Sequence, residues 1–503
     1  MRDARRSARV LLCLMILATT MGCPDPGAGE LDAGPAGDVS TPGETDGATG
    51  PDARPLADAT RSDATSYPSD AAEGGDASFA ADADEPGFPC AFGELWHLGA
   101  YDEQIYMGAQ AGLAVSTSAN GRWVAFTSTL ALSSIDTNHN YDAYVLDRLT
   151  GEYELASVDA AGQVGPEASF AQQISDDGRL VLMTSDNQLS PRDIGTARDV
   201  YMRHRNAGFT DLVSETNPPR DGMGTLYDVR MSGDGRFAVW LAMHGRENVQ
   251  PDGNGMLEDI LVRDGRQSGI FRANVNSQGA QGTGVSTDFA ISRDGRFVVF
   301  SDRSTNLVSE QRPGEHVYIH ELSTGTTERV DTATAGVASE GGSGGLSVSN
   351  NGDYVAFLGA VPTIGLPVSV QIIIKNRRSG AFTIASRDAF GEVRRGWYFA
   401  DPELSPDGKY ILFREPSGQW AGDLGPNVGT PSFYIRRISD DAIVRIGYSD
   451  RPSDQPRGYI ASSPKAHWSA GGEFISFASP QVLVLEAMGR GSSGYVYSWC
   501  GGR

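Results

Sequence analysis

Cysteine is scarce in this chain: there are four in 503 residues, at positions 13, 23, 90 and 500. Neither Cys90 nor Cys500 has a CxxC partner or an adjacent histidine, which argues against a zinc or redox centre. Positive charge is also short, with 41 Lys and Arg against 64 Asp and Glu and a formal net charge of −23. Nucleic-acid binding needs clustered cations, so that class is excluded as an expectation. After the N-terminus no apolar run reaches the roughly 18 residues that a spanning helix needs. There is no P-loop, no dinucleotide fingerprint and no Ser-His-Asp set. Of the seven histidines only His316 and His320 are spaced as a pair. On one extended strand they stand about 13 Å apart, too far to share a metal.

The two ends of the first 87 residues differ in material. Arg2, Arg5, Arg6 and Arg9 precede the apolar stretch "VLLCLMILATTM", the pattern of a secretory signal over residues 1–22. It runs into "TTMGC", which resembles the bacterial lipoprotein cleavage site. That resemblance implies a lipid on Cys23 as the mature N-terminus, with ordinary secretion as the alternative. Residues 23–87 are rich in Asp, Ala, Gly and Pro; fifteen acids and two bases between Pro24 and Pro89 give a charge of about −13. Such a segment has too little to bury to recover its ordering entropy, so a disordered linker is expected. Its root-mean-square reach is about 45 Å, enough to hold a folded head off a membrane.

A repeat fills the remainder, residues 88–503. The phrases "STSANGRWVAF", "QISDDGRLVLM", "RMSGDGRFAVW", "AISRDGRFVVF", "SVSNNGDYVAF", "ELSPDGKYILF" and "HWSAGGEFISF" share a turn glycine, at Gly121, Gly178, Gly235, Gly295, Gly352, Gly408 and Gly472. The intervals of 57, 57, 60, 57, 56 and 64 residues mark a repeat architecture. Asp-Gly or Asn-Gly between β-rich runs predicts a tight hairpin. Runs such as Phe297-Val298-Val299-Phe300 are apolar on successive residues, so both strand faces must be covered. Tyr144, Tyr201, Tyr318 and Tyr495 each lie 23 residues after their glycine and open a third strand; a fourth follows, as in "YELASV". Each unit therefore reads as a four-stranded antiparallel blade, and the chain as an all-β, seven-bladed β-propeller.

The phrase S-x-D-G-[RK]-x-[VI]-x-F followed by a tyrosine strand resembles the WD40-like repeat of the TolB-type β-propeller family, over about residues 88–503. The resemblance implies the propeller fold and a habit of recognising proteins, without an activity. Blade 7 stops after its third strand. The segment "WHLGAYD" from Trp96 aligns with the fourth strand "YELASVD", so an N-terminal strand is expected to complete the last blade. That pairing brings Cys90 and Cys500 to neighbouring positions. With Cys13 lost with the signal and Cys23 lipidated, a disulfide between them is expected. On the loop-entropy account a bridge across so long a loop stabilises by roughly 5–6 kcal/mol.

Candidate chemistry is sparse. Ser118, Ser175, Ser232, Ser292, Ser349, Ser405 and Ser469 all stand three before their turn glycine; a sevenfold serine is architectural, bonding the turn. Ser343 in "GGSGG" fits G-x-S-x-G but sits in a loop, without the strand-to-helix elbow that motif needs. Asp136, Asn138, Asn140 and Asp142 alternate in the manner of a calcium loop. Tyr141 replaces the glycine an EF-hand requires. Asp252, Asn254 and Asp259 occupy the equivalent loop of blade 3, and Asp193 and Asp199 that of blade 2. Turn chemistry and bound calcium both fit, and no other cofactor is expected. Gln172, Gln173, Asp228, Arg230, Asp288, Glu403 and His467 fall on first strands and are the candidates to meet in a central channel.

The expectation is a secreted, lipid-anchored, monomeric envelope propeller that binds a protein or peptide and catalyses nothing. The alternative is a carbohydrate-binding or polysaccharide-cleaving propeller that works through its channel.

Overall fold

In the computed structural model of the chain, the described residues are 95–97, 115–214, 226–243, 253–255, 257–267, 269–310, 313–332, 344–361, 369–388, 391–393, 400–415, 432–446, 466–479 and 493–499. They form seven four-stranded antiparallel sheets, and no helix occurs among them. None of them, accordingly, belongs to a helix long and apolar enough to cross a membrane. Six sheets take their strands in chain order; the seventh runs Ala466–Trp468, Phe474–Ser479, Ser493–Ser498 and then, outermost, Leu95–His97. The pairing is antiparallel, Leu95 with Tyr497, Trp96 with Val496 and His97 with Tyr495. The architecture is a seven-bladed β-propeller whose last blade is completed from the N-terminal side. Cys23, Cys90 and Cys500 lie outside the described residues, as do the leader and the linker.

Seven buried apolar clusters lie one at each junction between neighbouring blades. Val124, Phe126 and Tyr144 of blade 1 meet Phe474 and Val496 of blade 7 in one of them, so the ring is closed by packing as well as by strand pairing. The middle strands are buried on both faces, as in Phe297–Asp302 with all six residues covered. This is why their sequence does not alternate.

The turn phrase holds each blade to the next. All seven turn glycines have positive φ, between 67° and 74°, a region that costs any L residue with a Cβ. Space is a second constraint. A Cβ on Gly121 would drive into the ring of Phe474, and one on Gly178 into Trp123. Phe474 and Trp123 each stand two residues after the preceding blade's turn glycine, so the bulky residue of one turn seats on the bare backbone of the next. Arginine caps the joint: Arg205 donates to the Gly178 carbonyl and lies over the Trp123 ring at 4.1 Å. Arg148 does the same with Gly121 and Phe474.

The sevenfold serine acts as expected. In blade 2 the Ser175 hydroxyl donates to Asp177 and accepts the Leu180 N–H at 2.9 Å. Ser118, Ser232, Ser292, Ser349 and Ser405 repeat both bonds, and Ser469 accepts from Phe474. All seven are at most 1% exposed.

The candidate site in the central channel

The residue five before each turn glycine is Ser116, Gln173, Arg230, Ala290, Ser347, Glu403 or His467 in blades 1 to 7. All seven line one cavity of about 220 Å³. Five of the sequence candidates are therefore brought together: Gln173, Arg230, Asp288, Glu403 and His467. Asp228 joins them through Arg230, whose Nη2 donates to its carboxylate at 3.2 Å. Gln172 is not on the wall; its amide faces Thr184 of its own blade, at 3.4 Å. The pairing of first and second strands slips between Ala171 and Gln173, and similar slips occur near Asp228, Asp288 and Glu403. Each slip turns the chain out of simple alternation.

The wall is laced from blade to blade. The Ile174 N–H donates to the Ser116 hydroxyl at 3.1 Å, and the Met231 N–H to the Gln173 carbonyl oxygen at 2.5 Å. The Leu404 N–H donates to Ser347 and the Trp468 N–H to Glu403, both at 2.9 Å. So in four blades the side chain at this position accepts from the next blade's backbone. Arg230, having only donors, cannot do so, and Ala290 has no polar group. His467 instead holds Glu403, its Nδ1 lying 2.8 Å from the second carboxylate oxygen. Because an ionised carboxylate only accepts, Nδ1 donates in this bond.

Electrostatics keep Glu403 ionised. Burial pushes its carboxyl up, but the His467 ring, the Trp468 N–H and the Arg230 charge outweigh it and hold the group below its usual range. Arg230 stays charged for the mirror reason: burial pulls it down, and Asp228, Glu403 and Asp288 more than restore it. At the turn end of the channel Arg293 crosses the opening. Its Nε donates to Asp176 of blade 2 at 2.7 Å and its Nη1 to the Trp468 carbonyl of blade 7 at 3.4 Å. Toward the other end Asp401 has φ of 52°, a rare conformation for a non-glycine residue, and accepts from Arg414 at 3.2 Å. Sequence reasoning missed Arg293, Asp176 and Asp401. The signal that finds the ring is the fixed distance from the turn glycine.

The calcium candidates lie elsewhere, in loops between second and third strands. Asp136 accepts from the Tyr144 hydroxyl, and Asp142 from Ser157 at 2.7 Å. Asn138 donates to the Gly165 carbonyl at 2.7 Å and Asn140 to that of Pro166 at 3.3 Å. Asp136 Oδ1 and Asp142 Oδ2 remain buried without a partner. Burial, against the Ser157 and Asn138 bonds, pushes Asp142 up to about 7. In blade 3 Asp252 lies outside the described residues. Asp259 accepts from Arg272, Asn274 and Gln281 at 2.7–2.8 Å, and Asn254 donates to the Gly282 carbonyl at 3.0 Å. In blade 2 Asp193 pairs with Tyr201 and Asp199 with Ser214, the arrangement of Asp136 and Asp142 repeated. Among the described residues no three His, Cys, Asp or Glu side chains gather as a metal set.

Neither a protein-family model nor a curated protein matches the chain. Solved structures do. The chain is similar to an oligogalacturonate lyase from Vibrio parahaemolyticus, at 12% identity over 81% of this chain and 98% of that one, with a TM-score of 0.49. It is also similar to a putative TolB from Agrobacterium tumefaciens, at 15% identity over 58% and 86%, with a TM-score of 0.32. A third is the β-propeller domain of the Trilobed protease from Pyrococcus furiosus, at 11% identity over 76% and 94%, with a TM-score of 0.42. Enzymes and non-enzymes share this architecture, and these likenesses concern the fold alone.

Proposed function

We propose that this chain is a non-catalytic binding propeller of the cell envelope, which takes the end of a protein or peptide segment into its central channel. The observation that carries the reading is the blind pocket: first strands of all seven blades line one cavity, and Arg293 bars its turn end. At about 220 Å³ the cavity falls below the range of roughly 300–1,000 Å³ for drug-sized ligands, which suits the tip of a ligand. Among the described residues, the aromatic rings beside the wall, Phe289 and Trp468, are 2–3% exposed and offer no face on which a sugar could stack. That favours a peptide over the carbohydrate alternative. Glu403 has both oxygens engaged, by Trp468 and His467, which supports recognition over chemistry.

The proposal includes the setting. Signal cleavage, a lipid on Cys23 and an acidic tether over residues 23–87 hold the propeller at the envelope, and a Cys90–Cys500 disulfide closes the seam beside the paired Leu95–His97 strand. Capture from envelope extracts by the full-length protein, set against Arg230→Gln and His467→Gln variants, tests the channel. A partner held by the wild type and lost by both variants is the expected result. Retention by the variants moves recognition off the channel, and specific binding on a glycan array with no protein partner overturns the reading.

A further inference from the structure

The groups on the channel wall are unequally matched. Every acid there has a donor: Asp228 has Arg230, Asp401 has Arg414, Asp176 has Arg293 and Glu403 has His467. Asp288 accepts the Phe289 N–H at 2.8 Å. The donors are not all used. Arg230 gives one Nη2 bond to Asp228, while among the described residues its buried Nε has no partner and its Nη1 has none either. The Gln173 amide oxygen serves the Met231 N–H, and among the described residues its NH₂ group has no acceptor. Both side chains line the cavity, from adjacent blades.

An unpaired buried guanidinium donor costs free energy that an acceptor would return, and the acceptor that matches a planar fork is a carboxylate. His467 stands on the same wall, with Nδ1 held by Glu403. Two donors from blades 2 and 3 and an imidazole from blade 7 thus border one space. A ligand that matches the two donors carries a carboxylate. The last residue of a peptide has one, its terminal carboxylate. Arg230 is also a position that has left the blade-to-blade lacing, its printed bond going to Asp228 of its own blade.

We infer that the channel recognises a peptide C-terminus. Arg230 and Gln173 donate to the terminal carboxylate, and His467 borders the space that the last residue fills. The inference rests on the peptide-binding reading above and narrows it to one end of the peptide.

Fluorescent tripeptide pools titrated into the full-length protein by anisotropy test it. One pool bears free C-terminal carboxylates and a second the same sequences as C-terminal amides; a third probe is a uronic-acid disaccharide. The free-acid pool is expected to bind the wild type at least about tenfold more tightly than the amides. Arg230→Gln is expected to erase the difference, and Gln173→Ala to reduce it, with melting midpoints checking that each variant is folded. Equal binding of acid and amide overturns the inference and leaves peptide binding standing. A preference that survives Arg230→Gln, or tighter binding of the disaccharide than of either peptide pool, also overturns it. If neither pool binds while envelope capture still depends on Arg230, the C-terminal assignment falls alone. If capture is indifferent to Arg230, the parent reading falls with it.

Discussion

Two positions of the same repeat, two residues apart on the first strand, behave in opposite ways. Three before the turn glycine every blade has a buried serine that accepts the N–H five residues on, and six of the seven also donate to the side chain two residues on. Five before it the blades carry Ser, Gln, Arg, Ala, Ser, Glu and His, all facing one cavity. The difference teaches where selection by geometry ends. A turn that must hold the same backbone seven times admits one solution, whereas a wall that touches a shared space can differ in each blade. Four blades still use that position to accept a neighbour's N–H. The chemistry gathers where that duty lapses, at Arg230 and His467.

The comparison predicts large stability effects at the turns and small ones at the wall. Gly121→Val should be the most damaging, because it combines positive φ with a clash against Phe474. A loss of about 2–5 kcal/mol is expected in chemical denaturation; a change within error would break the account of the blade joint. Ser175→Ala strands the Leu180 N–H and removes one donor from Asp177 and should cost about 1–3 kcal/mol. At the wall, Glu403→Gln should cost about 1 kcal/mol or less at pH 7. Its sign with pH is fixed. Glu403 is held below its ordinary 4.5 in the folded chain, so its contribution is present above pH 4.5 and fades as pH falls through the lower folded value. Wild type and variant should therefore converge in acid, and a gap that widens there would refute the assignment. The smallest effect concerns the loops between second and third strands. EGTA should leave the melting midpoint unchanged, since the loop amides and acids already bond Gly165, Pro166, Tyr144 and Ser157. A proton on Asp142, pushed up to about 7, relieves its remaining oxygen. A drop on chelation would place a cation in blade 1.

The blades were legible in the sequence because their signals are local. Asp-Gly turns, doubly apolar strands and a tyrosine 23 residues on all act within one hairpin. Even the seam was legible, since "WHLGAYD" has the spacing of a fourth strand and pairs as one. The channel was legible only in part. Gln173, Arg230, Glu403 and His467 share a repeat position, but Gln172 shows the limit: a slipped register beside it decides which of two adjacent glutamines reaches the cavity. Arg293 escaped for another reason. Its partners, Asp176 and Trp468, come from blades 2 and 7, and nothing in a single repeat announces a contact across the hole. Nor did the turns reveal that Gly121, Gly178, Gly295, Gly352 and Gly408 each seat an aromatic ring of the neighbouring turn, although a bulky residue two positions after the glycine was present in every phrase.

Leu95–His97 is bonded to Tyr495–Tyr497, so during synthesis this strand waits about 400 residues for its partner. Six blades can assemble from neighbours already made, each paying only for short loops. The circle cannot shut until Ser493–Ser498 exists. A chain cut before that strand is thus an open arc, and its arrival is the event that turns an arc into a disc.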